Sequence, residues 1–263
     1  MELRGARVLI TGASRGLGES LAGAFAAAGS TVALVARDAD AIAALALSLG
    51  GSAHAADLSD PAQVASLIGR VEEEAGPIDV LVNNAAVVKS GDFVTSSAES
   101  LRHMTEVNYL APAELSRQVI PRMLNRGRGH IVNISSLAGT LAMPGMVGYS
   151  ASKAALAHFT AALRADLHGQ PIGTTLVELG AISGGMPGAG FGPTVDAVGR
   201  LSRARLLGGA TRDEVTEAVV AAVRRNRRHV RLPRHAAAAP MLVEAPRRLS
   251  EFLIRGGPRH RGA

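Results

Sequence analysis

The sequence predicts an α/β fold: one domain built on a doubly wound, seven-stranded parallel sheet. Three observations carry this. Short β-branched apolar runs alternate with longer segments of helical spacing along the chain. The strand runs are apolar on both faces, as parallel strands covered by helices are. Five Phe, two Tyr and no Trp among 263 residues leave a core of Ala, Val, Leu and Ile, which suits tight layers of helix on sheet. Strand–helix–strand units of this kind cross over right-handed, and such a sheet takes its ligand at the carboxyl ends of the strands.

The elements follow in order. Arg7–Ile10 is the first strand. Gly18–Ala28 is an Ala-rich helix ended by Gly29, and Thr31–Ala36 is the second strand. Ala39–Leu49 is a helix stopped by two glycines, and Ser52–Ala56 is a weaker third strand. Asp60 and Pro61 open the next helix as cap and first residue, and Gly76–Pro77 close it. Ile78–Val82 is a buried strand. Ser100–Arg126 reads as one long helix, kinked by Pro112 and with Pro121 near its end. His130–Ile134 is a strand, Tyr149–Leu167 a helix and Thr174–Leu179 a strand. Gly180–Gly192 is glycine-rich and reads as a loop. Thr211–Arg225 is a helix, His229–Leu232 the last strand, and Leu242–Ile254 a terminal helix.

Composition narrows the chemistry. Without cysteine there is no disulfide, thiolate metal site or cysteine nucleophile. The eight histidines show no metal-ligand spacing, so no metal is expected, and His54, His103 and His158 read as packed or surface residues. The first residues lack the apolar core of a signal peptide, and no apolar run is long enough to span a bilayer. A cytoplasmic location is the expectation. The net charge of +6 gathers toward the end of the chain, in Arg224, Arg225, Arg227, Arg228, Arg231, Arg234, Arg247, Arg248, Arg255, Arg259 and Arg261. These read as a solvated surface, with peripheral contact to an anionic membrane as the alternative. Nucleic acid is not an expected partner, because the tail offers only Phe252 for base stacking.

The first strand runs into Thr11-Gly12-Ala13-Ser14-Arg15-Gly16-Leu17-Gly18 and then a helix. Glycines here allow a tight turn and close backbone approach to a pyrophosphate, and the helix start offers free N–H groups to the anion. The spacing Gly-x-x-x-Gly-x-Gly resembles the TGxxxGxG fingerprint of the short-chain dehydrogenase/reductase family, which implies a Rossmann fold and a nicotinamide dinucleotide. The second strand ends in Ala36-Arg37 with no carboxylate for a ribose 2′-hydroxyl. A guanidinium suits a 2′-phosphate, with Arg15 as a second contact, so NADP(H) is expected over NAD(H). Asp38 stands one residue too late for the usual NAD role, and is the carboxylate left as the alternative for a ribose. The resemblance assigns Asp57 and Leu58 to the adenine. It sets Asn84 and Ala85, in Asn83-Asn84-Ala85-Ala86, beside the cofactor. Ala86 stands where the family has glycine.

The second signal is Tyr149-Ser150-Ala151-Ser152-Lys153. Tyr and Lys four apart share a helix face. A nearby ammonium stabilises the phenolate, so a lowered tyrosine pKa and a general acid/base role are expected for Tyr149. Ser136, at the end of the fifth strand, is placed to hold a substrate oxygen, with Ser135 as the alternative. Its spacing from Tyr149 matches the family. The resemblance also gives Lys153 the nicotinamide ribose and Asn108 a water that links Lys153 to solvent. An asparagine inside a helix calls for such an explanation.

The resemblance runs from Arg7 to Leu179 and then weakens. Leu179 replaces the family's proline and Gly184 its threonine, with Ser183 the nearest hydroxyl. Ile182 is left to meet the nicotinamide through its backbone. Residues 184–207 form the expected substrate loop, and Met186, Phe191, Val195 and Val198 point to an apolar ketone, aldehyde or secondary alcohol. Residues 236–263 form a variant C-terminal helix and basic tail. The resemblance further implies a homodimer or homotetramer through the helices Ser100–Arg126 and Tyr149–Leu167. The reading is an NADP(H)-dependent oxidoreductase interconverting a carbonyl and its alcohol, and the alternative is a non-catalytic NADPH-binding sensor.

Overall fold

The computed structural model describes residues 1–141, 143–182, 192, 196 and 209–233. The strands are β1 (Arg7–Thr11), β2 (Thr31–Ala36), β3 (Ser52–Ala55), β4 (Val80–Asn83), β5 (Gly129–Ser136), β6 (Ile172–Leu179) and β7 (His229–Leu232). The helices are α1 (Gly16–Ala27), α2 (Ala39–Leu49), α3 (Pro61–Ala75), α4 (Ala98–Thr105), α5 (Ala111–Asn125), α6 (Val147–Asp166) and α7 (Arg212–Arg224). The sheet has seven strands in the order β3-β2-β1-β4-β5-β6-β7, every pairing parallel. Strand order reverses between β1 and β4, whose register sets Val8 beside Val80 and Ile10 beside Val82. That is the doubly wound Rossmann arrangement the sequence predicts.

Successive strand residues face opposite sides of the sheet, so β1 feeds two cores. Val8 and Ile10 pack with Phe25, Leu34, Val215 and Val219 under α1, α2 and α7. Leu9 packs with Leu67, Ile68, Leu115, Val119 and Ile131 under α3 and α5. Caps fix where the helices begin. Asp38 Oδ1 accepts from Ala41 N at 3.1 Å, and Asp60 caps α3 ahead of Pro61. Thr211 and Glu214 form a reciprocal capping box on α7.

The long helix expected over 100–126 is divided. α4 passes into a single π turn, Glu106–Leu110, and then into α5. Pro112 falls in the first turn of α5, directly after the π turn, where its ring nitrogen has no N–H to give to the turn before it. Pro121 lies inside α5. β4 starts at Val80, later than expected, and Ile78 N donates to Glu72 Oε1 at 2.9 Å. The expected substrate loop, 184–207, lies outside the described residues apart from Gly192 and Asp196, as do the helix Leu242–Ile254 and the tail 236–263.

Candidate active site

The site starts where β1 and β4 end. Thr11 Oγ1 donates to Val82 O (3.4 Å) and accepts from Asn84 N (3.0 Å) and Ala85 N (3.1 Å). The Asn84 amide donates to Thr11 O (2.9 Å) and Gly12 O (3.2 Å). These bonds stitch the glycine turn to the end of β4. A side chain at Gly12 (φ +65°) would bring a Cβ within 2.8 Å of Ala85 Cα, and one at Gly18 would lie 2.1 Å from Gly12 O. Both positions need hydrogen for the turn to close on α1. Arg15 caps α1 with extended backbone but places no side-chain acceptor on it. The first-turn N–H groups of Gly16, Leu17 and Gly18 thus border the cleft without a side-chain cap, a cradle fit for a phosphate.

At the tip of β2, Ala36 is buried and Arg37 is exposed. The Asp38 carboxylate is taken by the α2 cap. Beyond β3, burial works against the charged form of Asp57. Hydrogen bonds from Ser59 N (2.9 Å) and Ser59 Oγ (2.8 Å), together with the Arg37 and His103 side chains, nevertheless hold its carboxyl below the ordinary value.

The other end is built on β5 and α6. Lys153 is buried, and its Nζ donates to Ile134 O at 2.9 Å, 6.0 Å from the centre of the Tyr149 ring. Burial of the ammonium pulls Lys153 down to about 8. The expectation of a lowered Tyr149 is overturned. Burial raises its phenol above the ordinary value, and a hydrogen bond with Ser136 only tempers this. In this low-dielectric pocket, desolvation of the phenolate outweighs the Ser136 hydrogen bond, while Lys153 Nζ is turned to Ile134 O. Ser136 Oγ also accepts from Ala138 N (3.1 Å) and reaches Leu179 O (3.3 Å). Ser135 Oγ points away and donates to Lys153 O (2.9 Å), so Ser136 is the serine beside Tyr149.

One cleft of about 1160 Å³ joins the two ends. Gly12, Ser14, Arg15, Gly16, Leu17, Gly18, Arg37, Asp57, Leu58, Asn84, Ala85 and Ile182 line it, and so do Ser136, Tyr149 and Lys153. Ile182 bridges to Ala210, while Ser183 and Gly184 lie outside the described residues. Asn108 does not line the cleft. It sits in the π turn, wholly buried, and its amide exchanges hydrogen bonds with Val87 N (2.8 Å) and Val87 O (2.9 Å) and donates to Ser152 Oγ (3.0 Å). It ties the segment after β4 to α6, behind Lys153. The cleft also holds residues the sequence reasoning did not single out. Val87, Val88, Leu137, Leu141, Met143 and Met146 make an apolar wall beside Tyr149. Two methionines three apart just ahead of the tyrosine were the available signal.

Among the described residues, no helix is long and apolar enough to cross a membrane, and no group of three or more His, Asp or Glu is placed to hold a metal ion. The sequence profile of the short chain dehydrogenase family matches residues 6–189. The chain belongs to the short-chain dehydrogenase family. This makes it an oxidoreductase of that family, and the solved members share its fold. It is 38% identical over 227 residues to the Ketoacyl reductase HetN of Nostoc sp., covering 84% of this chain and 76% of that protein. Some other curated members are longer, and the chain spans 58% of one of them. Solved short-chain dehydrogenases are similar throughout. One from Sphingobium yanoikuyae in complex with NADPH has a TM-score of 0.75 at 31% identity, covering 98% of both chains. One from Burkholderia phymatum in complex with NAD has a TM-score of 0.79 at 26% identity, covering 100% of this chain and 99% of that one. Both nucleotides thus occur among these short-chain dehydrogenases.

Proposed function

We propose that the chain is an NADP(H)-dependent oxidoreductase that interconverts a lipophilic ketone or aldehyde and its alcohol. The observation that carries this is one continuous cleft, with an uncapped glycine turn and Arg37 at one end and Ser136, Tyr149 and Lys153 at the other. When bound, the nicotinamide supplies or accepts the hydride. The residues of the chain hold the oxygen and move the proton. With its pKa raised by burial, Tyr149 is a neutral phenol at pH 7, ready to donate its proton to a carbonyl oxygen as negative charge develops there. Ser136 orients that oxygen. Lys153, at about 8, is still mostly an ammonium at pH 7 and stabilises the phenolate left behind.

The preference for NADP(H) rests on Arg37, exposed at the cleft that Arg15 also lines, and on Asp38 being engaged as a helix cap. The lipophilic substrate rests on the wall of Val87, Val88, Leu141, Met143 and Met146. Thioether side chains adapt their shape, so this wall suits bulky apolar groups better than polar sugars. A homo-oligomer is supported by Leu110 and Val147, large apolar residues left exposed on the helical layer of the π turn and α6. Isothermal titration with NADPH and NADH in parallel tests the reading. Tighter binding of NADPH followed by turnover of a lipophilic ketone is expected. Binding of neither nucleotide would overturn it.

A further inference from the structure

Ser136 opens a short 3₁₀ turn, Leu137–Gly139, that ends on Thr140. The turn is held on two sides. Gly139 lies so close to α6 that a Cβ there would meet Ala154 N and the Lys153 carbonyl carbon at 2.8 Å. On the other side, Thr140 Oγ1 donates to Glu178 Oε1 at 2.9 Å. Glu178 is buried on β6, and its second oxygen receives His229 Nε2 (2.5 Å), Arg231 Nε (3.0 Å) and Arg231 Nη2, all from β7. A buried carboxylate held by four hydrogen bonds, three of them from the two charged-group donors of β7, is a rigid point. Glu178 is not among the residues of the cleft, and the proton path through Tyr149 makes no use of it.

We propose that Glu178 is a positioning residue for the active site: through Thr140 it fixes the turn that presents Ser136 to the Tyr149 hydroxyl. The inference rests on the role given to Ser136 under Proposed function. It couples β7, by way of His229 and Arg231, to the geometry of the reacting oxygen. A strand at the edge of the sheet thereby takes part in setting the catalytic hydrogen bond.

Two variants of Thr140 test this without touching the buried carboxylate. Thr140→Val keeps the shape and removes the hydroxyl, and Thr140→Ser keeps the hydroxyl. Amide hydrogen exchange over residues 136–141 and steady-state kinetics with NADPH are read on each. Thr140→Val is expected to speed exchange over that turn and to lower kcat by about tenfold or more, with NADPH affinity unchanged. Thr140→Ser restores both. Unchanged kcat in an active Thr140→Val enzyme would overturn the proposal. Should the wild-type protein turn over no carbonyl compound, the proposed function fails by itself. Exchange then decides the clamp: faster exchange in Thr140→Val upholds it, and unchanged exchange overturns it.

Discussion

Lys153 Nζ donates to Ile134 O at 2.9 Å, so the ammonium that serves Tyr149 is anchored to the strand that carries Ser136. Burial depresses this lysine to about 8 from its ordinary 10.5. Between those values the unfolded chain keeps the proton that the folded one has lost, so stability rises as pH rises through 8. Activity moves the other way, because the neutral amine no longer stabilises the phenolate. A pH profile of kcat/KM for carbonyl reduction should fall above about 8. A flat profile to pH 10 would remove Lys153 from this role.

Tyr149→Phe deletes the proton donor and little else, since the ring stays packed among Met104, Leu137 and Met146. Turnover should drop by about 10²–10⁴-fold while NADPH binding and melting temperature hold. Stopped-flow hydride transfer beside calorimetry measures both. Retained turnover would exclude the assignment.

Arg37→Gln removes the exposed guanidinium at the tip of β2. NADPH affinity should weaken by about 1.5–3 kcal/mol, the worth of a hydrogen bond to a charged group, with NADH affinity unchanged. Equal weakening of both nucleotides would mean that Arg37 does not read the 2′-phosphate.

Gly18→Ala and Gly16→Ala separate packing from conformation. A Cβ at Gly18 would lie 2.1 Å from Gly12 O, so that variant should lose nucleotide binding and about 1–3 kcal/mol of stability. Gly16 has φ +64° with open space around it, so its variant should pay only the left-handed strain of about 1–2 kcal/mol. Denaturant melts of the two proteins decide the order.

His130 is buried on β5, its Nε2 2.8 Å from Thr175 Oγ1, and burial depresses it to about 4 from 6.5. The folded state therefore binds fewer protons than the unfolded chain between those values, and stability falls as pH falls through 6.5 toward 4. From pH 7 to pH 5 this one group should cost about 2 kcal/mol. The loss should be absent from His130→Gln in urea titrations at the two pH values.

The types of the elements, their succession along the chain and the ligand-bearing edge were legible in the sequence because they rest on local patterns. Short continuous apolar runs alternating with segments of period near 3.6 mark the element types, and parallel crossovers have one hand. The glycine turn and the Tyr149–Lys153 spacing were legible for the same reason, since each lies within one turn or helix. The division of the long helix was only half visible: Pro112 and Asn108 flagged an irregularity, but the π turn between α4 and α5 depends on what Asn108 reaches.

Tertiary structure alone decided the rest. Asn108 meets Ser152, Asn84 meets Thr11, and Thr140 meets Glu178, across separations of 44, 73 and 38 residues. No local pattern records such pairs, because they form only when strands and helices from distant parts of the chain are layered together. The direction of the Tyr149 shift belongs here too. The sequence supplied the neighbouring charge, but burial set the sign, and burial is a property of the packed interior. By itself the sequence determined which chemical groups the site contains. The fold decided which of them touch and how much water is left around them.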